Sequence, residues 1–224
     1  MKLIIRNTAL ATLPLAAILS AAFAADNADL TIKGSIKPSA CSIALSDNAL
    51  IDFGTIHAPA LSQTSATRMA SKLFTMTIHC NAPTKLVLSM IDGRQGTAND
   101  AAGSAIYPLD YVWYGAGKAD GKNIGAYTIQ RNAQTLATVD GQVATTLYTT
   151  DGGNLWNQTQ QVDWSQPATR GHGWSSGPAS APGAFKTITQ QWQLDFAIGK
   201  ATDLPPLTQD IHLDGLVTFE IKYL

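Results

Sequence analysis

Gly173-Trp174-Ser175-Ser176-Gly177 spells the G-x-S-x-G pattern of a serine nucleophile, and Asp195 and His212 follow it in the chain order of an α/β-hydrolase triad. That chemistry needs the serine on a tight strand-to-helix turn, exposed to a base and to oxyanion donors. The flanking residues oppose such a turn. Pro167-Ala168-Thr169-Arg170-Gly171 stands where the strand should be, and Pro178 and Pro182 stand where the helix should be. His212 falls on the polar side of an alternating segment, where solvation is reason enough for it. His57, His79, His172 and His212 lack metal-ligand spacing, and no segment supplies the ligand positions of an EF-hand loop. The expectation is therefore a protein without catalysis, metal or other cofactor. Asn157-Gln158-Thr159 fits a glycosylation acceptor, which matters only on a route that modifies it.

The chain has two cysteines, Cys41 and Cys80. A zinc site or a reactive thiol would need partners at regular spacing, and only His79 adjoins either cysteine. In a strand that adjacency points His79 to the opposite face. The compartment favours a disulfide, because the first 24 residues read as an export signal. Lys2 and Arg6 precede an apolar run from Ala9 to Ala22, and Ala22-Phe23-Ala24 is a small-x-small cleavage site. The apolar run is short for a membrane span of about 20 residues. In an exported chain an even pair of cysteines is expected to be bridged.

The whole chain has 224 residues, with 15 Lys+Arg against 16 Asp+Glu and a net charge of −1. Loss of the leader with Lys2 and Arg6 takes that to −3. With no basic cluster to neutralise phosphates, a nucleic-acid partner is not expected. Residues 25–224 suit a single domain.

The elements that position these residues read as strands. Phe74, Met76, Ile78 and Cys80 share one face of an alternating run, and Leu86, Leu88 and Met90 repeat it downstream. Tyr111–Tyr114 and Tyr127–Ile129 are shorter candidates. Thr187–Ile198 reads as a long strand with one irregularity near Gln190. Five Asp-Gly pairs, at Asp92, Asp120, Asp140, Asp151 and Asp214, punctuate the runs as turns. No capped stretch of helical period and about 12 residues intervenes, so the pattern is that of an all-β sandwich. Residues 149–184 differ. They are rich in Gly, Ser, Gln and Pro and carry Trp156, Trp164 and Trp174. Such a stretch is a functional loop or an insertion. Its indoles either stack on a sugar or a neighbouring subunit, or fold back as satellite packing.

Both ends alternate. Ile211, Leu213, Gly215, Val217, Phe219, Ile221 and Tyr223 fall on one face of the last segment, with no later residues to form a hairpin beside it. Near the start Leu30, Ile32, Gly34 and Ile36 alternate ahead of Cys41, and this segment can pair within its own domain or be lent to another.

Ile32-Lys33-Gly34-Ser35-Ile36, Ala40-Cys41, Ile51-Asp52-Phe53-Gly54, Ile78-His79-Cys80 and the tail Asp214-Gly215-Leu216-Val217-Thr218-Phe219-Glu220-Ile221-Lys222-Tyr223-Leu224 together resemble the fimbrial (pilus) subunits of the chaperone–usher route. More narrowly, they are similar to a fimbrial-like branch with longer subunits. The resemblance covers both ends of the mature chain. It implies an incomplete immunoglobulin-like β-sandwich that lacks its last strand, a gap filled first by a periplasmic chaperone and then by the next subunit. By that resemblance Val217, Phe219, Ile221 and Tyr223 line the acceptor groove, and the Leu224 carboxylate anchors the chaperone. Leu30, Ile32, Gly34 and Ile36 include the donated strand. The implied partners are the chaperone, an outer-membrane usher, neighbouring subunits and a host glycan or other surface receptor. The implied location is a fimbria on the bacterial surface, reached through the periplasm. Two departures stand out: Ile211 occupies a position where such subunits often carry glycine, and the segment before Cys41 is short. A tip adhesin subunit is one alternative. Another is a self-sufficient carbohydrate-binding β-sandwich that uses Trp156, Trp164 and Trp174.

Overall fold

A computed structural model describes residues 30–37, 39–158 and 169–224. The proposed leader, residues 25–29 and Trp164 lie outside the described residues. The chain divides into two compact units, Met1–Lys37 and Pro38–Leu224. In the first, residues 30–37 adopt neither helix nor strand, and Leu30, Ile32 and Ile36 are exposed.

The second unit is all-β. Its strands are β1 (Cys41–Leu45), β2 (Thr67–Arg68), β3 (Lys72–Thr84), β4 (Leu86–Asp92), β5 (Tyr114–Gly115), β6 (Lys118–Ala119) and β7 (Lys122–Asn123). They continue with β8 (Gly125–Arg131), β9 (Ala137–Val139), β10 (Gln142–Thr149), β11 (Gly171–Ser175), β12 (Phe185–Ile198) and β13 (Val217–Tyr223). The main antiparallel path runs β1-β3-β12-β9-β10-β11-β4-β13. β10 turns the corner of the sandwich: Gln142–Ala144 pair with β9, and Thr145–Thr149 pair with β11. Phe74, Met76, Ile78 and Cys80 of β3 are buried against Leu86, Leu88 and Met90 of β4 and Ile188, Trp192, Leu194, Phe196 and Ile198 of β12, as alternation requires.

Several local expectations change. β12 has its irregularity between Phe185 and Thr187, not near Gln190. Gln190 continues the inward row at 2% exposure, because its side-chain carbonyl accepts from Thr146 Oγ1 at 2.7 Å. Of Tyr111–Tyr114 only Tyr114 enters a strand, and Asp110–Val112 is a 3-10 turn. Trp113 explains the departure: its indole covers Gly103 and donates to Tyr107 O at 2.8 Å. Among the Asp-Gly pairs, Asp120-Gly121 and Asp140-Gly141 close the β6–β7 and β9–β10 hairpins with positive φ at both residues, 47° and 78°, then 48° and 81°. The final strand starts at Val217 and not at Ile211. Arg94 and Ala116 hold Asp214 by its carboxylate and its N–H, which takes the preceding residues away from β4.

One short helix, α1 (Asp100–Ile106), covers the outer face of β8 and β12 through Ala102, Ala126 and Ala197. Asn99 caps it by accepting from Ala102 N at 3.0 Å. Asn99→Ala is expected to lower stability by about 1 kcal/mol, read from the midpoint of urea denaturation.

Candidate functional site

The two ends of the strand path face each other. β13 pairs with β4 from Val217↔Asp92 to Tyr223↔Leu86. The flanking bonds, Gly93 N to Leu216 O at 2.8 Å and Leu224 N to Lys85 O at 3.1 Å, place the even-numbered residues in the hydrogen-bonded positions of this ladder. The N–H and C=O groups of Val217, Phe219, Ile221 and Tyr223 therefore point to the far side, where no described strand pairs. At the other end Asn81 N donates to Ala40 O at 3.0 Å, so Cys41, Ile43 and Leu45 turn their backbone groups away from β3 in the same way. One side chain spans the interval: Tyr223 OH accepts from Cys41 N at 3.0 Å.

Between the two layers, along this interval, lies a cleft of about 930 Å³ lined mainly by apolar side chains. Val217 and Phe219 of β13 form one wall, and Phe53, Phe74, Leu194 and Leu207 are among the others. Phe219 meets Phe74 edge-on at 6.1 Å, and Phe53 tilts against Phe196 at 4.9 Å. Val217, Phe219 and Ile221 are half-buried, while Thr218, Glu220 and Lys222 face solvent. Tyr223 and Leu224 remain about half exposed, at 48% and 51%. The alternation of the tail thus places its apolar row correctly. The opposite wall, from Ile51, Phe53 and Ile56, escaped the sequence reading as part of this site, although Ile51-Asp52-Phe53 carries the same period of two.

The disulfide sits beside the interval. Cys41 and Cys80 are register partners on β1 and β3 and are bonded to each other, with Cα atoms 4.0 Å apart. At the Val217 end the charges are paired: Arg94 grips Asp214 with Nε and Nη2 at 2.8 and 2.7 Å. The guanidinium holds the Asp214 carboxyl below the usual carboxylate range. Burial pushes the nearby Asp92 carboxyl up, even though it accepts from Gly115 N and Arg94 N.

Part of the tryptophan-rich stretch, Gly171–Ser175, is strand β11 and not loop. His172 and Trp174 of β11 point inward. Trp174 is 1% exposed with its Nε1 3.4 Å from Gln190 Oε1, so it has no face to offer a ligand. Gly171 and Gly173 point outward, and the chain packs over them. A Cβ on Gly173 would come within 2.7 Å of the Trp156 ring, and one on Gly171 within 2.4 Å of Val87. Trp156 donates to Gly153 O at 2.9 Å, and the Asp151 carboxylate accepts from Asn154 N and Leu155 N at 3.0 and 2.9 Å. Trp174 thus belongs to the main core, Trp156 packs back over Gly173, and Trp164 lies outside the described residues.

The serine pattern does not assemble. Ser175 is buried and donates to Gly177 O at 2.6 Å. Asp195 accepts from Ser71, from Gln130 Nε2 at 2.6 Å and from Gln193 Nε2 at 2.9 Å, and His212 is exposed. A glycine-lined strand, buried on both faces, replaces the exposed turn that the motif needs.

The architecture is an all-β sandwich with one disulfide, whose last described strand has an unpaired edge beside an apolar cleft. Residues 30–128 match the family described as Protein of unknown function (DUF1120), a span that includes both cysteines, β3 and β4. The chain is 26% identical to Protein GltF of Escherichia coli (strain K12) over 242 residues, covering 96% of this chain and 95% of that protein. It is also 27% identical to Uncharacterized protein YhcF of the same organism, over 53% of this chain and 56% of that one.

Proposed function

We propose that this protein is a structural subunit of a chaperone–usher surface fimbria, completed by a strand from another polypeptide and used in cell adhesion. The observation that carries the reading is the unpaired edge of β13 over the 930 Å³ cleft, with the edge of β1 facing it. A ribbon laid there would take the free backbone groups of Val217, Phe219, Ile221 and Tyr223 on one side and those of β1 on the other. This is strand addition, in which backbone bonds give affinity and alternate side chains fill pockets. Each large apolar side chain that the ribbon covers contributes about 1.5–3 kcal/mol, and an uncovered edge of this kind favours aggregation. The periplasmic chaperone would supply the ribbon first, before the usher, and a neighbouring subunit afterwards. Leu30, Ile32, Gly34 and Ile36 have the alternation that such a ribbon needs and take no strand within their own unit.

The packing of Trp156 and Trp174 weighs against a self-sufficient module that stacks sugars on those rings. The test is addition of a synthetic peptide of residues 25–37 to the full chain. The subunit reading expects the protein alone to be aggregation-prone, and the peptide to keep it monomeric and raise its melting temperature. A stable monomer indifferent to the peptide contradicts the reading. Rescue by a chaperone strand but not by this peptide would place the chain at the fibre tip, as a receptor-facing subunit without a donor.

A further inference from the structure

The five Asp-Gly pairs share a chemistry beyond turn-making. In such a pair the backbone nitrogen of the glycine attacks the aspartate Cγ. An N–Cγ bond forms, the Cγ–OH bond breaks, and the amide proton leaves with the hydroxyl as water. Water then opens the resulting aminosuccinyl ring. Opening at Cγ restores aspartate, and opening at the main-chain carbonyl leaves isoaspartate, whose backbone runs through the former side chain. The water released in the first step is consumed in the second, and no other reactant is needed. Glycine favours the attack because no Cβ crowds its nitrogen.

Ring closure requires a carboxyl that is free to turn toward its own backbone. Four of the five are engaged. Asp92 accepts from Arg94 N and Gly115 N at 2.7 and 2.9 Å, and Asp151 from Asn154 N and Leu155 N at 3.0 and 2.9 Å. Arg94 holds Asp214 through two nitrogens. Asp140 accepts from Lys186 N at 3.1 Å and from Thr187 N at 2.8 Å. The Asp120 carboxylate makes no hydrogen bond or ion pair with another described residue. Asp140 isolates this difference. Both aspartates are exposed, both lie in two-residue hairpin loops with positive φ, and a Cβ on Gly121 or Gly141 would meet nothing within 4 Å. The hairpin of Asp120 is also the weaker one. β6 and β7 pair at two positions and with no other described strand, so its tip opens at little cost. We propose that Asp120-Gly121 is a modification site, at which the folded chain converts spontaneously to isoaspartate. The added backbone atom lengthens a loop whose turn type fits two residues, so the product loses the β6–β7 register. The site lies outside the cleft lining and does not rest on the cleft's role.

The test is storage of the full chain at body temperature in mildly acidic buffer, with and without urea. Digestion and electron-transfer fragmentation then distinguish the two backbones. In the folded chain isoaspartate is expected at Asp120 about tenfold faster than at Asp140, the cost of breaking a hydrogen bond to a charged group before the ring closes. In urea the two rates should converge. Asp120→Asn and Asp140→Asn give a second reading through the same ring, by loss of ammonia and a rise in mass, and the first should deamidate the faster. Equal rates at Asp120 and Asp140 in the folded chain overturn the proposal. So does a faster rate at Asp92, Asp151 or Asp214, an advantage of Asp120 that persists undiminished in urea, or equal deamidation of the two variants.

Discussion

Replacing Cys41 and Cys80 together by serine is expected to lower the unfolding free energy by about 4 kcal/mol, the chain-entropy value for a loop of this length. The bridge closes 39 residues. That loss is a large share of the about 5–15 kcal/mol that holds an ordinary domain together. Its local effect should be larger still. β1 has five residues and, among the described residues, pairs only with β3, since its other edge faces the interval below Tyr223. Without the bridge, β1 keeps one short ladder and the hydroxyl contact at Cys41 N. Hydrogen exchange should therefore show β1 losing protection while β12 keeps it. Urea denaturation of the oxidised, reduced and serine forms checks the magnitude, and a difference under about 1 kcal/mol would contradict it.

Phe219→Asp should abolish occupation of the cleft. Phe219 projects from the middle of β13 into the apolar lining, against Phe74. A carboxylate there would have to be buried without a partner whenever a strand closed over it, at a cost of several kcal/mol. That corresponds to a loss of at least about a hundredfold in affinity. Thr218→Asp, one residue away on the solvent side, serves as the control and should bind within about threefold of the parent. Fluorescence anisotropy with the labelled peptide of residues 25–37 reads both. Equal losses in the two variants would show that the effect is not on the cleft face. Circular dichroism establishes that both remain folded.

What alternation can express was legible before any coordinates. The inward rows of β3, β4 and β12 follow from single-face periodicity, and so does the apolar row of β13. The cysteine pair followed from reading the first 24 residues as an export signal. Three features could not be seen in this way. β11 lies in a stretch read as loop because two of its five residues are glycines, and glycine gives no hydropathy signal. Only the inward His172 and Trp174 betray it. Gln190 looked like a break because an amide in an apolar row reads as one, and its partner Thr146 is 44 residues away. Ile211 and Leu213 continue the period of β13 perfectly, yet a charge pair between Asp214 and Arg94, 120 residues apart in the chain, ends the strand before them. Period reports which face a residue would take in a strand, not whether a distant side chain has pulled the backbone elsewhere.

The paving of β11 by Gly171 and Gly173 has an evolutionary corollary. Indole and hydrogen atom are two halves of one fit, since the Trp156 ring occupies the room that a side chain at 173 would need. Relatives in which that glycine is replaced should have lost the large aromatic as well, so the two positions should change in concert across an alignment of such chains.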